Sequence, residues 1–495
     1  MKRHVLALAI PAALLLAFML PLRDGFTDDG FIHIQYARNL IERGEYAFNP
    51  GEVSFGTTSP LWVLVLAAAG KVVGSGEALI VVSRVLSWAC GFAALAALYA
   101  FVLALGGGRL TAAAAAAALA GDAWFARWTA LSMETSASVL AIVLAALATA
   151  HALSDRRAAA RAGCYFALAS LLRPEVYLAF PVWALAVLST RRAADRRAAV
   201  VTAVVGAALL VPWFLFAKFH IGSFLPSTAG AKSGGVLLAP ASFMRNLETV
   251  VKVVGATQHL ALMGAVLSLV LLRSRSSLLD RRARFALLWI VALPLAYIIF
   301  DIQVLSRYLL LVTPLLCALG WVAIAQLAGG VRARRVVAFG AAAAVLANAV
   351  FYAQVALPPS RTFTHDLRHG LRDLARFIDR EAPADAVVAA ADIGYLAFYS
   401  NRRVLDLGGL VEPETAKLRE RIDYEEIVER GLYLDLPGYP HVDYLVDRER
   451  EADRFDGRVL HGHRFERVYA TTVRNLGIRK PGPYYYTLYR LTRVD

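Results

Sequence analysis

The stretch VLALAIPAALLLAFMLPL, Val5 to Leu22, runs directly into RDGFTDDGFIHIQYARNL, Arg23 to Leu40. The first part is apolar and long enough to cross a bilayer as a helix. It starts behind Met1 to Arg3 but has no small-x-small cleavage site before Asp24, so it is read as a retained transmembrane helix and not a secretory signal. Two adjacent carboxylates, Asp28 and Asp29, follow a few residues beyond the bilayer. They head an amphipathic helix whose Phe31, Ile34, Ala37, Leu40 and Ile41 can lie along the interface. Residue type alone leaves two readings open. The pair is either a solvated helix start, with Asp28 as N-cap and Asp29 favoured by the dipole, or a pair of working carboxylates.

Composition sets the context. Of the 495 residues, 58% are hydrophobic and mean hydropathy is +0.54, well above the soluble globular range. Up to Leu357 there are 30 Lys/Arg against 15 Asp/Glu, whereas the last 138 residues hold 22 against 23. The net charge of +14 therefore belongs to the apolar part, where basic clusters between spans mark cytoplasmic loops. No nucleic-acid partner is implied. Cys90, Cys164 and Cys317 all fall inside apolar runs, so no disulfide framework or thiolate metal site is implied.

Apolar runs occur at about 5 to 22, 79 to 104, 110 to 126, 135 to 153, 163 to 178, 180 to 190, 199 to 217, 258 to 272, 285 to 300, 308 to 327 and 336 to 356. This predicts an all-α polytopic membrane bundle of about 11 transmembrane helices. A further run, Leu61 to Val73, is short and broken by Gly70 and Lys71, which suits a re-entrant or interfacial helix. With that choice and a cytoplasmic N-terminus, every dense arginine cluster faces the cytoplasm: Arg156, Arg157 and Arg161; the 191 to 197 group; the 273 to 284 group; and Arg332 to Arg335. Segment 23 to 78, the turn at 121 to 132, the loop at 218 to 257, the turn at 301 to 307 and everything after Leu357 then lie outside. The chain accordingly divides into a transmembrane domain, 1 to 357, with outer loop 23 to 78, and an extracytoplasmic α/β domain, 358 to 495. In the latter, His365 to Arg380 has helical spacing, while 386 to 391, 403 to 407, 444 to 447 and 484 to 491 read as strands.

The run DDGFIHIQYARNL, then FNPGE at 48 to 52 and TSPLW at 58 to 62, resembles the first outer loop of GT-C type glycosyltransferases, especially the AftB-like branch of mycobacterial terminal arabinofuranosyltransferases. Leu131-Ser132-Met133-Glu134-Thr135, Leu172-Arg173-Pro174-Glu175, Leu225-Pro226-Ser227-Thr228 with Lys232, and Arg307-Tyr308-Leu309-Leu310 with Thr313-Pro314 extend the resemblance. It continues in the tail through Ala391 to Tyr395 and Val404 to Leu410. Each motif is short, but their order covers most of the chain.

The resemblance implies a polyprenyl-phosphate sugar donor that enters from membrane lipid and an extracytoplasmic glycan, lipid or protein acceptor. It also implies a multi-pass place in a bacterial inner membrane. Asp28 becomes the catalytic base, with Asp29 beside it positioning the acceptor or a divalent metal; relatives differ in whether a metal takes part, and the residues leave that open. The departing lipid phosphate is anionic, so cations should converge on it. Lys232, Arg307, Arg173 and Arg127 are the candidates, with Tyr308 and His33 as hydrogen-bond partners. Glu134 and Trp62 join His33 as candidates for holding acceptor or sugar.

Plainer roles stand beside these. Arg173 can pair with Glu134 or Glu175 to order the bundle, Arg307 can be an interfacial anchor, and Trp62, Trp124 and Trp128 can be belt residues. Asp392 and Asp406 end strands, where α/β domains place ligand groups, but turn capping accounts for them equally. His461 and His463 read as a solvated loop. A polytopic transporter is the alternative function, although no half-to-half repeat of the kind common in transporters is visible.

Overall fold

A computed structural model describes residues 2–153, 155–188, 193–224, 240–476 and 481–494. In chain order its first helices are α1 (Lys2–Met19), α2 (Asp28–Glu42), α3 (Pro60–Val73), α4 (Ala78–Ala104), α5 (Arg109–Ala120), α6 (Ala123–Ala130), α7 (Thr135–Ala152), α8 (Arg156–Leu172), α9 (Ala179–Leu188) and α10 (Ala193–Phe216). Then come α11 (Pro240–Leu272), α12 (Arg284–Ile299), α13 (Ser306–Leu309), α14 (Thr313–Ala328), α15 (Gly330–Phe351), α16 (Leu357–Asp366), α17 (Arg372–Glu381), α18 (Gly394–Ser400), α19 (Pro413–Arg419) and α20 (Tyr424–Glu429). The strands are β1 (Val387–Ala390), β2 (Arg403–Asp406), β3 (Tyr444–Glu449), β4 (Val459–Leu460), β5 (His463–Asn475) and β6 (Pro481–Arg493). The chain forms two compact units: Met1–Arg23 with Arg84–Phe214 and Ser233–Leu357, and Asp24–Ser83 with Leu215–Lys232 and Pro358–Asp495.

The first unit is helical. Among the described residues, six helical segments are long and apolar enough to cross a membrane: His4–Leu22, Ala78–Ala104, Thr135–Ala152, Ala194–Ile221, Ser242–Arg275 and Gly330–Glu381. The other five expected spans fall on shorter helices, so length and composition do not establish the count of eleven. The run expected at 110 to 126 is broken. Asp122 turns out of the helix and accepts from the backbone N–H of Trp124 (3.0 Å) and Phe125 (2.9 Å), which ends α5 and starts α6. The run expected at 258 to 272 is the second half of α11, which kinks at Gln258 (φ −124°, ψ 25°).

Asp122 and Gln258, buried inside this bundle, are tied to partners on other helices. The Gln258 amide donates to Asp122 (2.8 Å) and accepts from the Cys317 thiol (3.1 Å), joining α6, α11 and α14. Close approach of α11 and α14 depends on Gly320, where an added Cβ would lie 2.3 Å from the Ala261 carbonyl oxygen.

The second unit is built on a six-stranded sheet in the order β2-β1-β3-β6-β5-β4. Strands β2, β1 and β3 are parallel, and β3, β6, β5 and β4 are antiparallel. Val387, Ala389, Leu405, Leu445, Phe465 and Tyr489 lie in its core. The four expected strands are present, and β5, β4 and helices α18 to α20 are additional. His461 sits at an exposed left-handed turn (φ 51°) before β5, and His463 opens that strand, so the pair marks the tip of a hairpin.

Residues 24 to 83 belong to this unit. The Asn49 side chain behaves as a rung of sheet on the edge strand β2, donating to the Val404 carbonyl (2.9 Å) and accepting from its N–H (3.1 Å). Glu52 forms an ion pair with Arg403 and accepts from Tyr439 Oη (3.2 Å). The FNPGE motif is thus a structural part of the sheet's margin.

Candidate functional site

In the second unit the acidic pair opens α2. Thr27 is extended (φ −99°, ψ 157°) and its hydroxyl accepts from the Gly30 N–H at 3.1 Å, so Thr27 is the N-cap in place of Asp28. This frees both Asp28 oxygens for other work. One accepts from the Gly394 N–H (3.0 Å) and the other from the Tyr395 N–H (2.8 Å), at the start of α18. Only glycine fits at 394, because a Cβ there would come within 2.0 Å of the Asp28 carbonyl oxygen.

The loop that carries Gly394 leaves β1 through Asp392. That carboxylate accepts from Arg448 Nη1 (2.7 Å) and from Tyr486 Oη (2.6 Å). Arg448 and Tyr486 face each other across β3 and β6, so the sheet register fixes the pair. Burial and the nearby charge of Asp392 push the Asp28 carboxyl up to about 7, against the pull of the two backbone N–H groups. Asp29 adds to the push. The result is a carboxylate that changes charge near neutral pH beside a second acid that is ion-paired with Arg448.

His33 lies on the same helix, buried, with Nδ1 at 2.8 Å from Thr57 Oγ1 of the TSPLW motif. Trp62 is 3% exposed in the first turn of α3. Asp406 serves the fold: its oxygens accept from the N–H groups of Gly408 (2.8 Å), Val411 (2.7 Å) and Leu410, closing the turn after β2. Burial pushes its carboxyl up to about 6, against the pull of those N–H groups.

The first unit gathers a separate cationic cluster. Arg173 is 4% exposed; its guanidinium pairs with Glu134 (3.2 Å) and Glu175 (3.5 Å). It also lies over the Tyr308 ring, 5.1 Å from the centroid, and Arg307 stands 5.5 Å from the same ring. Arg307 and Arg127, each 7% exposed, stack on Trp128 at 5.2 and 4.5 Å. Trp128 is oriented by donating to Ser306 Oγ (2.9 Å), so it is a platform for guanidinium groups and not only a belt residue. Arg307 donates to Met133 Sδ (3.5 Å).

The structure therefore brings Arg173, Arg307, Tyr308 and Glu134 together, with Arg127. It brings Asp28, with Asp29 beside it, near Asp392, with His33 and Trp62 in the same unit. Lys232 and the 225 to 228 motif lie outside the described residues. Sequence reasoning missed Arg448 and Tyr486. Their signal is the two-residue period of β3, which puts Arg448 on the face of Val446 and Tyr444. Among the described residues, no three His, Cys, Asp or Glu side chains converge as a metal-holding group.

A family described as a domain of unknown function (DUF8728) matches residues 361–489. No curated protein matches the chain. Among solved structures, ArnT from Cupriavidus metallidurans bound to undecaprenyl phosphate superposes with a TM-score of 0.60 at 14% identity, covering 97% of each chain. The apo oligosaccharyltransferase of Archaeoglobus fulgidus gives 0.62 at 15% identity, over 90% of this chain and 69% of that one. The same organism's AglB, in complex with an inhibitory peptide and a dolichol-phosphate, gives 0.60 at 14% identity with the same coverage. The fold is of the GT-C type expected; these likenesses do not single out the AftB-like branch.

Proposed function

We propose that this chain is a membrane glycosyltransferase that moves a sugar, arabinofuranose by its loop motifs, from a polyprenyl-phosphate carrier to a hydroxyl of an extracytoplasmic glycan, lipid or protein. The acceptor oxygen attacks the anomeric carbon and the bond from that carbon to the phosphate oxygen breaks. The proton of the acceptor passes to Asp28, and polyprenyl phosphate leaves with the bonding electron pair. Asp29 positions the acceptor. Arg307, Arg173 and Arg127, with the Tyr308 hydroxyl, bind the phosphate and stabilise the charge it gains, as preorganised cations do in water-poor sites. Lys232 shares that role by resemblance.

The observation that carries this reading is the state of Asp28. A carboxyl raised to about 7 is a much better base than an ordinary one, while remaining ionised often enough to act. The fold's likeness to proteins whose structures were solved with undecaprenyl phosphate and with a dolichol-phosphate supports the donor class.

The test is Asp28→Asn in purified protein at saturating donor. Transfer should fall by roughly 10² to 10⁴-fold, the usual worth of a general base, with donor binding unchanged. Asp29→Asn should cost less. Near-normal turnover in Asp28→Asn would place the base elsewhere.

A further inference from the structure

A cavity of about 660 Å³ opens between the end of α7 and the starts of α8 and α10, wholly within the first unit. Its polar wall carries Arg156, Arg196 and Arg197; its apolar wall is Ala152, Leu153 and Val200. The volume is that of an ordinary small-ligand site. Two acids are near, and both are engaged. Asp155 caps α8 by accepting from the Arg157 N–H (2.8 Å) and pairs with Arg161 (3.3 Å), while the wholly buried Asp195 pairs with Arg281. Positive charge therefore dominates the cavity.

Its position decides what that charge is for. Thr135–Ala152 and Ala194–Ile221 are both segments able to cross a membrane, so the cavity lies where a span ends and headgroups begin. Below the arginines the flank of α10 stays apolar and uncovered, with Val200 61% and Val204 62% exposed. A cationic pocket above an apolar flank matches an amphiphile with a phosphate head and acyl tails.

We propose that this cavity binds the phosphate headgroup of an anionic membrane lipid. The site is independent of the glycosyltransferase reading. Native mass spectrometry of the full chain, supplied in detergent with phosphatidylglycerol, phosphatidylcholine or inorganic phosphate, tests it. Wild-type protein should retain one phosphatidylglycerol that Arg156→Gln/Arg197→Gln loses, with binding weakened by about 10- to 30-fold, since each basic side chain near such a headgroup is worth about fivefold. Arg157→Gln/Arg335→Gln removes the same charge away from the cavity and should keep the lipid. If the double variant does not fold, Ala194→Glu adds an anion at an exposed helix start, where acids are tolerated, and should also expel the lipid. Equal retention by the cavity variants, equal loss from the off-cavity pair, or equal retention of phosphatidylcholine would overturn the proposal. Displacement of the lipid by millimolar inorganic phosphate would show a free-anion site and overturn it too.

Discussion

Asp28 bears both a structural and a chemical demand. Its two oxygens hold the start of α18, and its pKa near 7 comes from burial and the charge of Asp392. As a base it works only when ionised, so kcat/KM should rise with pH, about tenfold per unit below 7, and level off above it. A rate profile between pH 5 and 9 checks this, and Asp28→Asn should lose the limb. Removing Asp392 by Asp392→Asn takes away a neighbouring negative charge and leaves Arg448 to favour the ionised form, so the limb should move to lower pH. A limb near pH 4, the value of an ordinary aspartate, would contradict the account. The sequence made the acidic pair legible through its place just beyond the first span. It could not show that Thr27 takes the cap, because either residue type caps well and only the backbone turn at Thr27 decides.

At the scale of elements, α7, α8 and the turn before α9 are tied by Arg173, which meets Glu134 and Glu175 in a setting with little water. The pair is buried, with side chains 5% and 2% exposed, so breaking one partner should cost more than removing both. Arg173→Met should lower thermal stability in detergent by the equivalent of about 3 to 5 kcal/mol, and Arg173→Met/Glu134→Gln should recover much of it. Equal melting of the single and double variants would show that the pair orders nothing. Arg173 was readable because a charged residue inside an apolar run stands out. Strand β5 was not: only Phe465, Val473 and Asn475 are buried and its register slips between Arg467 and Tyr469, so no sustained apolar rhythm marks it. The kink at Gln258 was equally silent, since it follows from a partner on another helix, Asp122.

At the scale of the molecule, the arginine clusters predict that Ser274 is cytoplasmic and the tail extracytoplasmic. Both Ser274 and Asp453 are exposed and suit labelling. In a cysteine-free background, an impermeant thiol reagent added to intact cells should modify Asp453→Cys and not Ser274→Cys; the opposite pattern would reverse the topology and remove the catalytic reading with it. The fold was legible in the order of several short motifs along the chain, while the division into units was not, since the association of residues 24 to 83 with the tail rests on contacts such as Asn49 to Val404. The claim that matters most is that the chain cleaves a lipid-phosphate sugar and does not merely carry one. The direct measurement follows radiolabelled polyprenyl-phosphate sugars, arabinofuranose first, with purified protein in lipid nanodiscs and an acceptor mixture. The account predicts free polyprenyl phosphate appearing in step with labelled acceptor, and neither product above background with Asp28→Asn. Donors that all remain intact with wild-type protein, while the same protein in sealed vesicles moves one across the bilayer, would contradict it and make the chain a transporter.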